Sequence, residues 1–376
     1  MTNASEISTV IASPKTWIET DAVQQLRAVA ALPGMLRAVG MPDLHPGQGA
    51  PIGAVFACRG WVYPHLIGTD IGCGMALVRT DLPRQALKLD RFEKRLADLD
   101  GPWSGDAPAW LAEHGVTDPS PYAEALGTIG LGNHFAELQL VDEITDPPAA
   151  EHIGLDAAHL VLLVHSGSRG LGDAVLRSHT DRYAAAGLAD GADEQAAYMR
   201  RHDHAVAWAH ASRALIASRV LHALGADGVT LLDVAHNTVE RGTLDDAHTV
   251  WLHRKGATPA NRGPVVIAGT RGTYSYLVQP TGDGVATLGT LAHGAGRKWK
   301  RSEARGRLES RFKAQDLVRT PLGGRVICED RTLLYEEAPQ AYKDVEQVVA
   351  DLVAVGAARV LARLRPVLTY KTRRRR

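Results

Sequence analysis

Residues 159–172 read HLVLLVHSGSRGLG. Five apolar residues, Leu160 to Val164, run straight into a polar, glycine-rich turn that begins at His165. An apolar run of this length, bounded by glycine, predicts a buried strand that delivers His165 at its end. The same design recurs outward along the chain. GVTLLDVAHN (228–237) is an apolar strand ending on His236, and VVIAGTRGTYSYLV (265–278) reads as strand, turn and strand. LIGTDIGCGMALV (66–78) sets Asp70 and Cys73 three residues apart among Gly68, Gly72 and Gly74, within a stretch (41–80) of short apolar runs and tight turns. Helical patterns cover 20–40, 84–126 around a loop at GPWSGDAP, 193–224, 299–315 and 338–363. Strands and helices mix without regular alternation. That predicts an α+β fold rather than a doubly wound sheet or a barrel. No repeat and no linker divides the chain, so residues 1–376 are expected to form one domain.

The 376 residues are 45% hydrophobic and 22% charged, the composition of an ordinary globular protein. No run of about 18 apolar residues marks a membrane span. MTNASEISTVIASPKTW lacks a basic region followed by an apolar core, so no secretory leader is expected. Cys58, Cys73 and Cys328 are few and widely spaced, which argues against a disulfide framework and fits the cytoplasm. Formal net charge is zero, yet 297–313 carries eight basic residues and so does 359–376. Each is a solvated face or tail on the plain reading. Together they predict a positive surface suited to phosphate.

Of 16 histidines, His152, His159, His179, His202, His204, His210 and His222 lie in unremarkable contexts. His134 (GLGNHFAE), His165, His236 and His293 (LAHGAGR) differ, because each sits beside glycine or asparagine at a strand end or tight turn. With Asp70 and Cys73 they make a metal-site composition. A thiolate can bridge two metals and the carboxylate can hold one of them. Ligand chemistry alone favours zinc, then manganese or iron. Two metals would clamp a phosphoryl group. HSGSRG and GTRGTYS add hydroxyls, amides and arginines that can line a phosphate site. In HGAGR, small neighbours leave His293 open to act as a nucleophile toward phosphorus, and Arg297 follows four residues on.

Taken in order, MPDLHPGQGAPIGAV, GTDIGCG, GTIGLGNHF, VHSGSRGLG, AHN, HRKGATPA, GTRGTYSYLV, HGAGR and EEAPQAYKD span residues 41–344 and resemble the RtcB family of RNA ligases. WIETDAVQQL and YPHLIGTDIGCGMAL look most like the subgroup encoded beside release factor H. The resemblance implies a GTP- and Mn2+-dependent ligase. It would join RNA ending in a 2′,3′-cyclic phosphate or 3′-phosphate to RNA with a 5′-hydroxyl. It implies that Cys73 bridges two manganese ions, with His134 and His165 completing one site and Asp70 and His236 the other. His293 would be the guanylated nucleophile. Asn133, Glu137, Asn237, Thr270, Ser275, Gly294 and Lys371 match positions that contact GMP, and Arg169 and Arg297 match arginines that meet phosphates. The subgroup implies repair of cleaved ribosomal RNA, and some relatives depend on an archease-type activator.

Some positions depart from the family pattern. Thr270 and Arg271 stand where Ser and Met are usual, Leu131 replaces a glycine, and 84–126 is short. Asp43 and His45 could support the site, face RNA or serve only their turn. Two other functions compete with ligation. A two-metal cyclic phosphodiesterase or phosphatase would need the Asp70–Cys73–His134–His165–His236 cluster but not His293. A non-catalytic RNA-binding protein would keep the basic stretches and lose the nucleotide loop.

Overall fold

The computed structural model describes residues 4–97, 99–117, 121–245 and 248–373. Its central strand is His159–Ser166, flanked antiparallel by Phe135–Ile144 and Gly74–Pro83. Its side chains alternate between faces. Leu160, Leu162 and Val164 enter one core with Ile216, Val220 and Leu224 of the helix Asp193–Leu224. Val161 and Leu163 enter another with Leu277 and Leu361. Burial on both faces is why this strand is an unbroken apolar run rather than an alternating one. Across the sheet the order is Val265–Ile267, Ser275–Pro280, Ala358–Thr372, Phe135–Ile144, His159–Ser166, Gly74–Pro83, Gly228–Ala235. Arg325–Cys328 adds in parallel to Ala358–Thr372.

A second sheet orders Ser8–Val10, Met35–His45, Ile52–Cys58, His248–Lys255 and Asn237–Asp245. Its Val39, Met41, Val55 and Leu252 pack with Val265, Ile267 and Val278 of the first sheet and with the helix Val345–Ala354. The chain passes between the sheets at His236, since Ala235 ends one strand and Asn237 begins the next. Backbone bonds lock this corner to the Asp70–Cys73 turn. The His236 N–H donates to the Cys73 carbonyl (2.7 Å) and the Gly72 N–H to the Asn237 carbonyl (2.8 Å). Arg213, buried on the long helix, donates to the carbonyls of Gly72 (2.7 Å) and Ser166 (2.9 Å) while paired with Asp233. Three elements thus converge on one rigid point.

The α+β class, the 193–224 helix and the strands ending at His165 and His236 match expectation. Other segments differ. Only Thr20–Ala30 of 20–40 is helical; Pro33 and Gly34 end that run and Met35–His45 is a strand. In 338–363 the helix is Val345–Ala354, and a strand begins at Ala358. The arginines of that strand mimic a helix face in sequence, but they pair across the sheet, Arg363 with Asp142 at 2.8 Å. Pro366 sits at a register break, where its missing N–H disrupts the ladder least. Within 84–126 the helices are short, Leu89–Arg95 and Ala107–Glu113, with residues 118–120 outside the described ones. Residues 299–315 hold Arg301–Leu308 and Ala314–Leu317.

The basic stretches do not sum to one bare positive face. Arg359 pairs with Asp146, Arg373 with Glu329, Arg305 with Glu309 and Arg307 with Glu303. Lys371 is buried, and residues 374–376 lie outside the described ones.

Candidate active site

A cavity of about 1110 Å³ opens where the two sheets meet. Asp70, Cys73, His134, His165, His236 and His293 all line it, from five separate segments of the chain. The Cys73 sulfur lies 3.4 Å from Nε2 of His134 and 3.3 Å from Nε2 of His165. Asp70 Oδ2 is 2.7 Å from Nε2 of His134, and Nε2 of His165 is 3.3 Å from Nε2 of His236. Two triads result, Asp70–Cys73–His134 and Cys73–His165–His236, each with its donor atoms within 4.8 Å of one another. Cys73 is shared, as the resemblance implies, but the other four group differently. His134 stands with Asp70, and His165 with His236. The reason is topological: His165 and His236 end strands on either side of Gly74, while His134 reaches back over the Asp70 turn.

The donors fit a pair of divalent cations. Asp70 Oδ1 is buried and has no hydrogen-bond partner. Gly167 makes room for this carboxylate, because a Cβ there would come within 2.1 Å of Oδ1. His165 donates through Nδ1 to the Asn133 carbonyl (3.2 Å), which leaves Nε2 bare toward His236. Burial holds both His165 and His236 well below the usual imidazole range, so both are neutral and available as ligands. Burial, then the Asp70 charge, pushes the Cys73 thiol well up. A cation would reverse this and favour the thiolate. Burial alone would raise the Asp70 carboxyl, but His134 and Arg169 outweigh it and hold it below the usual range.

His293 stands beside this cluster, its ring 4.8 Å from that of His236 between centroids. Its Nδ1 is 2.7 Å from Oδ2 of Asp43, which is fully buried and also accepts the His293 backbone N–H (3.3 Å). Gly296 permits this approach: a Cβ there would lie 2.2 Å from the Asp43 carbonyl oxygen. The carboxylate holds the ring through Nδ1, the orientation that would make Nε2 the nucleophilic atom. The sequence singles out Asp43 only as a turn residue with three open roles. Its partner lies 250 positions away.

Glu137 and Lys371 also line the cavity. Burial raises the Glu137 carboxyl to about 7, although Thr369 and Gln139 donate to it. Burial lowers the Lys371 amine to about 8, and its Nζ donates to the Gly132 carbonyl (2.6 Å). Glu337, to which sequence analysis gives no role, gathers Arg297 (3.0 Å), Arg301 (3.3 Å), Lys371 (3.9 Å) and the Tyr342 hydroxyl. The EEAPQAYKD motif contained it, but nothing local marks a carboxylate as a hub.

The remaining expected residues divide by what they touch. Thr270, Asn133, Asn237, Gly294, Arg169 and Arg297 line the cavity. Asn237 clamps the Asp70 carbonyl (3.0 Å) and accepts the Gly256 N–H (2.7 Å). Arg297 is fully engaged by Glu337, Tyr342 and the carbonyls of Trp299 and Glu336, so in this state it builds the wall. Ser275 lies behind the loop, not on the cavity, and its Oγ accepts the Gly269 N–H (3.0 Å). Arg169 donates to Nδ1 of His134 (3.2 Å) from a backbone at φ 58°, unusual for a residue with a side chain.

The sequence profile of the family described as tRNA-splicing ligase RtcB matches residues 25–100 and 101–372. The chain is 51% identical to RNA-splicing ligase RtcB2 of Escherichia coli, over 96% of this chain and 94% of that one. It is 32% identical to tRNA-splicing ligase RtcB of Pyrobaculum aerophilum, over 91% of this chain and 89% of the relative. RNA-splicing ligase RtcB homolog 1 of Entamoeba dispar is 30% identical over 93% of this chain and 81% of its own length.

Proposed function

The chain belongs to the RtcB family of RNA ligases, and from that premise we propose that it seals RNA through a guanylated His293. The substrates on this reading are an RNA ending in a 3′-phosphate or 2′,3′-cyclic phosphate, an RNA with a 5′-hydroxyl, and GTP. One observation carries it: a histidine oriented by a fully buried carboxylate, beside a cluster of cation ligands in one cavity.

The proposed roles rest on the family membership and on the contacts around His293. Asp43 keeps the proton on Nδ1 of His293, so Nε2 attacks the α-phosphorus of GTP. A nitrogen–phosphorus bond forms, and the bond to pyrophosphate breaks. Asp43 also offsets the positive charge that the ring acquires. The cyclic phosphate, where present, is first hydrolysed to a 3′-phosphate. The RNA 3′-phosphate then takes GMP from His293, and the 5′-hydroxyl displaces GMP as the new phosphodiester forms. Glu137 and Lys371 would hold the guanine end, with Thr270, Asn133, Asn237 and Gly294 along the nucleotide. Ser275 shapes the loop from behind. Asp70, Cys73, His134, His165 and His236 would hold two Mn2+ ions, which neutralise phosphate charge and polarise the reacting oxygens. Arg169 would meet a phosphate once it releases His134. We read residues 1–376 as one ligase domain.

Intact mass after incubation with GTP and Mn2+ tests the reading, with His293→Ala as the control. The expected result is a gain of one GMP in the wild type only, stable to base and labile to acid. No gain, with metals bound, would favour a phosphodiesterase that uses the cation cluster alone or an enzyme that waits for an archease-type activator. We further read the cell role as RNA repair in the cytoplasm, on ribosomal RNA, in partnership with release factor H. Among the described residues no helix is long and apolar enough to cross a membrane. Efficient sealing of tRNA halves with none of nicked ribosomal RNA would overturn the ribosomal role.

A further inference from the structure

Arg213 projects from the helix Asp193–Leu224 and is fully buried. One of its nitrogens, Nη1, donates to two carbonyls, those of Gly72 (2.7 Å) and Ser166 (2.9 Å). Gly72 directly precedes Cys73, and Ser166 directly follows His165. Nε donates to Oδ1 of Asp233 (2.7 Å), on the strand that leads to His236. Nη2 lies 3.0 Å from Nδ1 of His210, which is itself 2.8 Å from the other Asp233 oxygen. One side chain therefore joins the backbone beside Cys73 and His165 to the strand that carries His236, the three ligands of one triad.

The other triad has ties of its own. Asp70 and Cys73 share a turn, closed by the Cys73 N–H on the Asp70 carbonyl (3.1 Å), and Asn237 holds the same carbonyl (3.0 Å). His134 meets the Asp70 carboxylate directly. Between Cys73 and His165 the situation differs. The register of Gly74–Pro83 against His159–Ser166 ends at the Gly74–Ser166 pair, one residue short of Cys73. Arg213 spans the two chain ends past that point. A guanidinium suits the task because its donors form a rigid planar fork, whereas a lysine offers a single nitrogen.

We propose that Arg213 is a positioning residue that sets the spacing of Cys73 and His165, and so the affinity of the Cys73–His165–His236 site for a divalent cation, while the Asp70–Cys73–His134 site keeps its own geometry. Groups that orient metal ligands typically change affinity 10- to 100-fold when lost. The inference rests on the reading of the cluster as two cation sites.

The test is Mn2+ binding by calorimetry in two single-site backgrounds. Asp70→Asn with His134→Ala leaves the Cys73–His165–His236 site, and His165→Ala with His236→Ala leaves the Asp70–Cys73–His134 site. Adding Arg213→Lys is expected to weaken the ion about 10- to 100-fold in the first background and by less than about threefold in the second. A general loss of stability would weaken both alike, so equal weakening would overturn the inference, as would a change of less than about threefold in the first background. A wild type that binds no Mn2+ would remove the two-cation reading and this inference with it. Asp233→Asn keeps the shape of the aspartate but removes the charge that anchors Nε. It should show the same selectivity at about tenfold, and it decides alone if Arg213→Lys fails to fold.

Discussion

Asp43→Asn is the sharpest probe of the His293 assembly. Asparagine has the shape of aspartate, so the ring of His293 should keep its place. The amide oxygen can still accept from Nδ1, now 2.7 Å from Oδ2, and from the backbone N–H at 3.3 Å. What is lost is charge. A hydrogen bond to a charged group contributes about 1.5–3 kcal/mol net, and each ~1.4 kcal/mol is tenfold in rate. If the amide keeps its oxygen toward His293, guanylation should therefore slow by about 10- to 150-fold. If the amide turns its NH2 group toward Nδ1, the ring proton is driven to Nε2 and the nucleophile is blocked. The loss then approaches the ~10⁴-fold seen when the aspartate of a Ser-His-Asp triad is made Asn. The assay is the time course of GMP mass gain at saturating GTP, with bound manganese measured on the same samples. A variant within threefold of wild type, at equal metal content, would refute the argument that Asp43 activates His293.

Two other outcomes are expected. The grouping of ligands predicts metal counts: Asp70→Asn combined with His134→Ala should leave one ion bound, because both substitutions fall in one triad. Asp70→Asn with His165→Ala should leave none, and elemental analysis after gel filtration distinguishes the two. For Glu137, the folded carboxyl titrates at about 7 against a usual 4.5. The folded chain therefore holds its proton more tightly, and this group's contribution to stability falls as pH rises from about 4.5 to 7. If Glu137 holds guanine as proposed, it does so in its ionised form, so GDP binding should strengthen from pH 6 to pH 8 and lose most of that slope in Glu137→Gln. Calorimetry across that range checks it, and an unchanged slope in the variant would assign the titration elsewhere.

The motifs were legible because the chemistry is delivered locally. His165 and His236 each end an apolar strand, and glycine loops at Gly167 and Gly296 mark where backbone must pass close to a carboxylate or its carbonyl. Such signals lie within a few residues of the group they serve. The basic stretches misled for the opposite reason. Some of their acids sit four residues away, Glu309 from Arg305 and Glu303 from Arg307, and others far off in sequence, Asp142 near Arg363 and Asp146 near Arg359, so formal charge along the chain overstates the field at the surface.

The sequence by itself determined the α+β class, the metal-binding composition at Asp70, Cys73, His134, His165 and His236, and the open histidine at 293. Each depends on residue type and neighbours a few positions away. Only the tertiary structure decided that Met35–His45 and Ala358–Thr372 are strands, that Asp43 is the partner of His293, and that His134 stands with Asp70 rather than His165. It alone set the Arg271 guanidinium against the Leu334 carbonyl with Nε and Nη1 buried and unpartnered. These depend on which strand ends meet when two sheets pack at one corner. A side chain's direction is fixed locally, but what it faces is fixed by the register of chain that folds beside it.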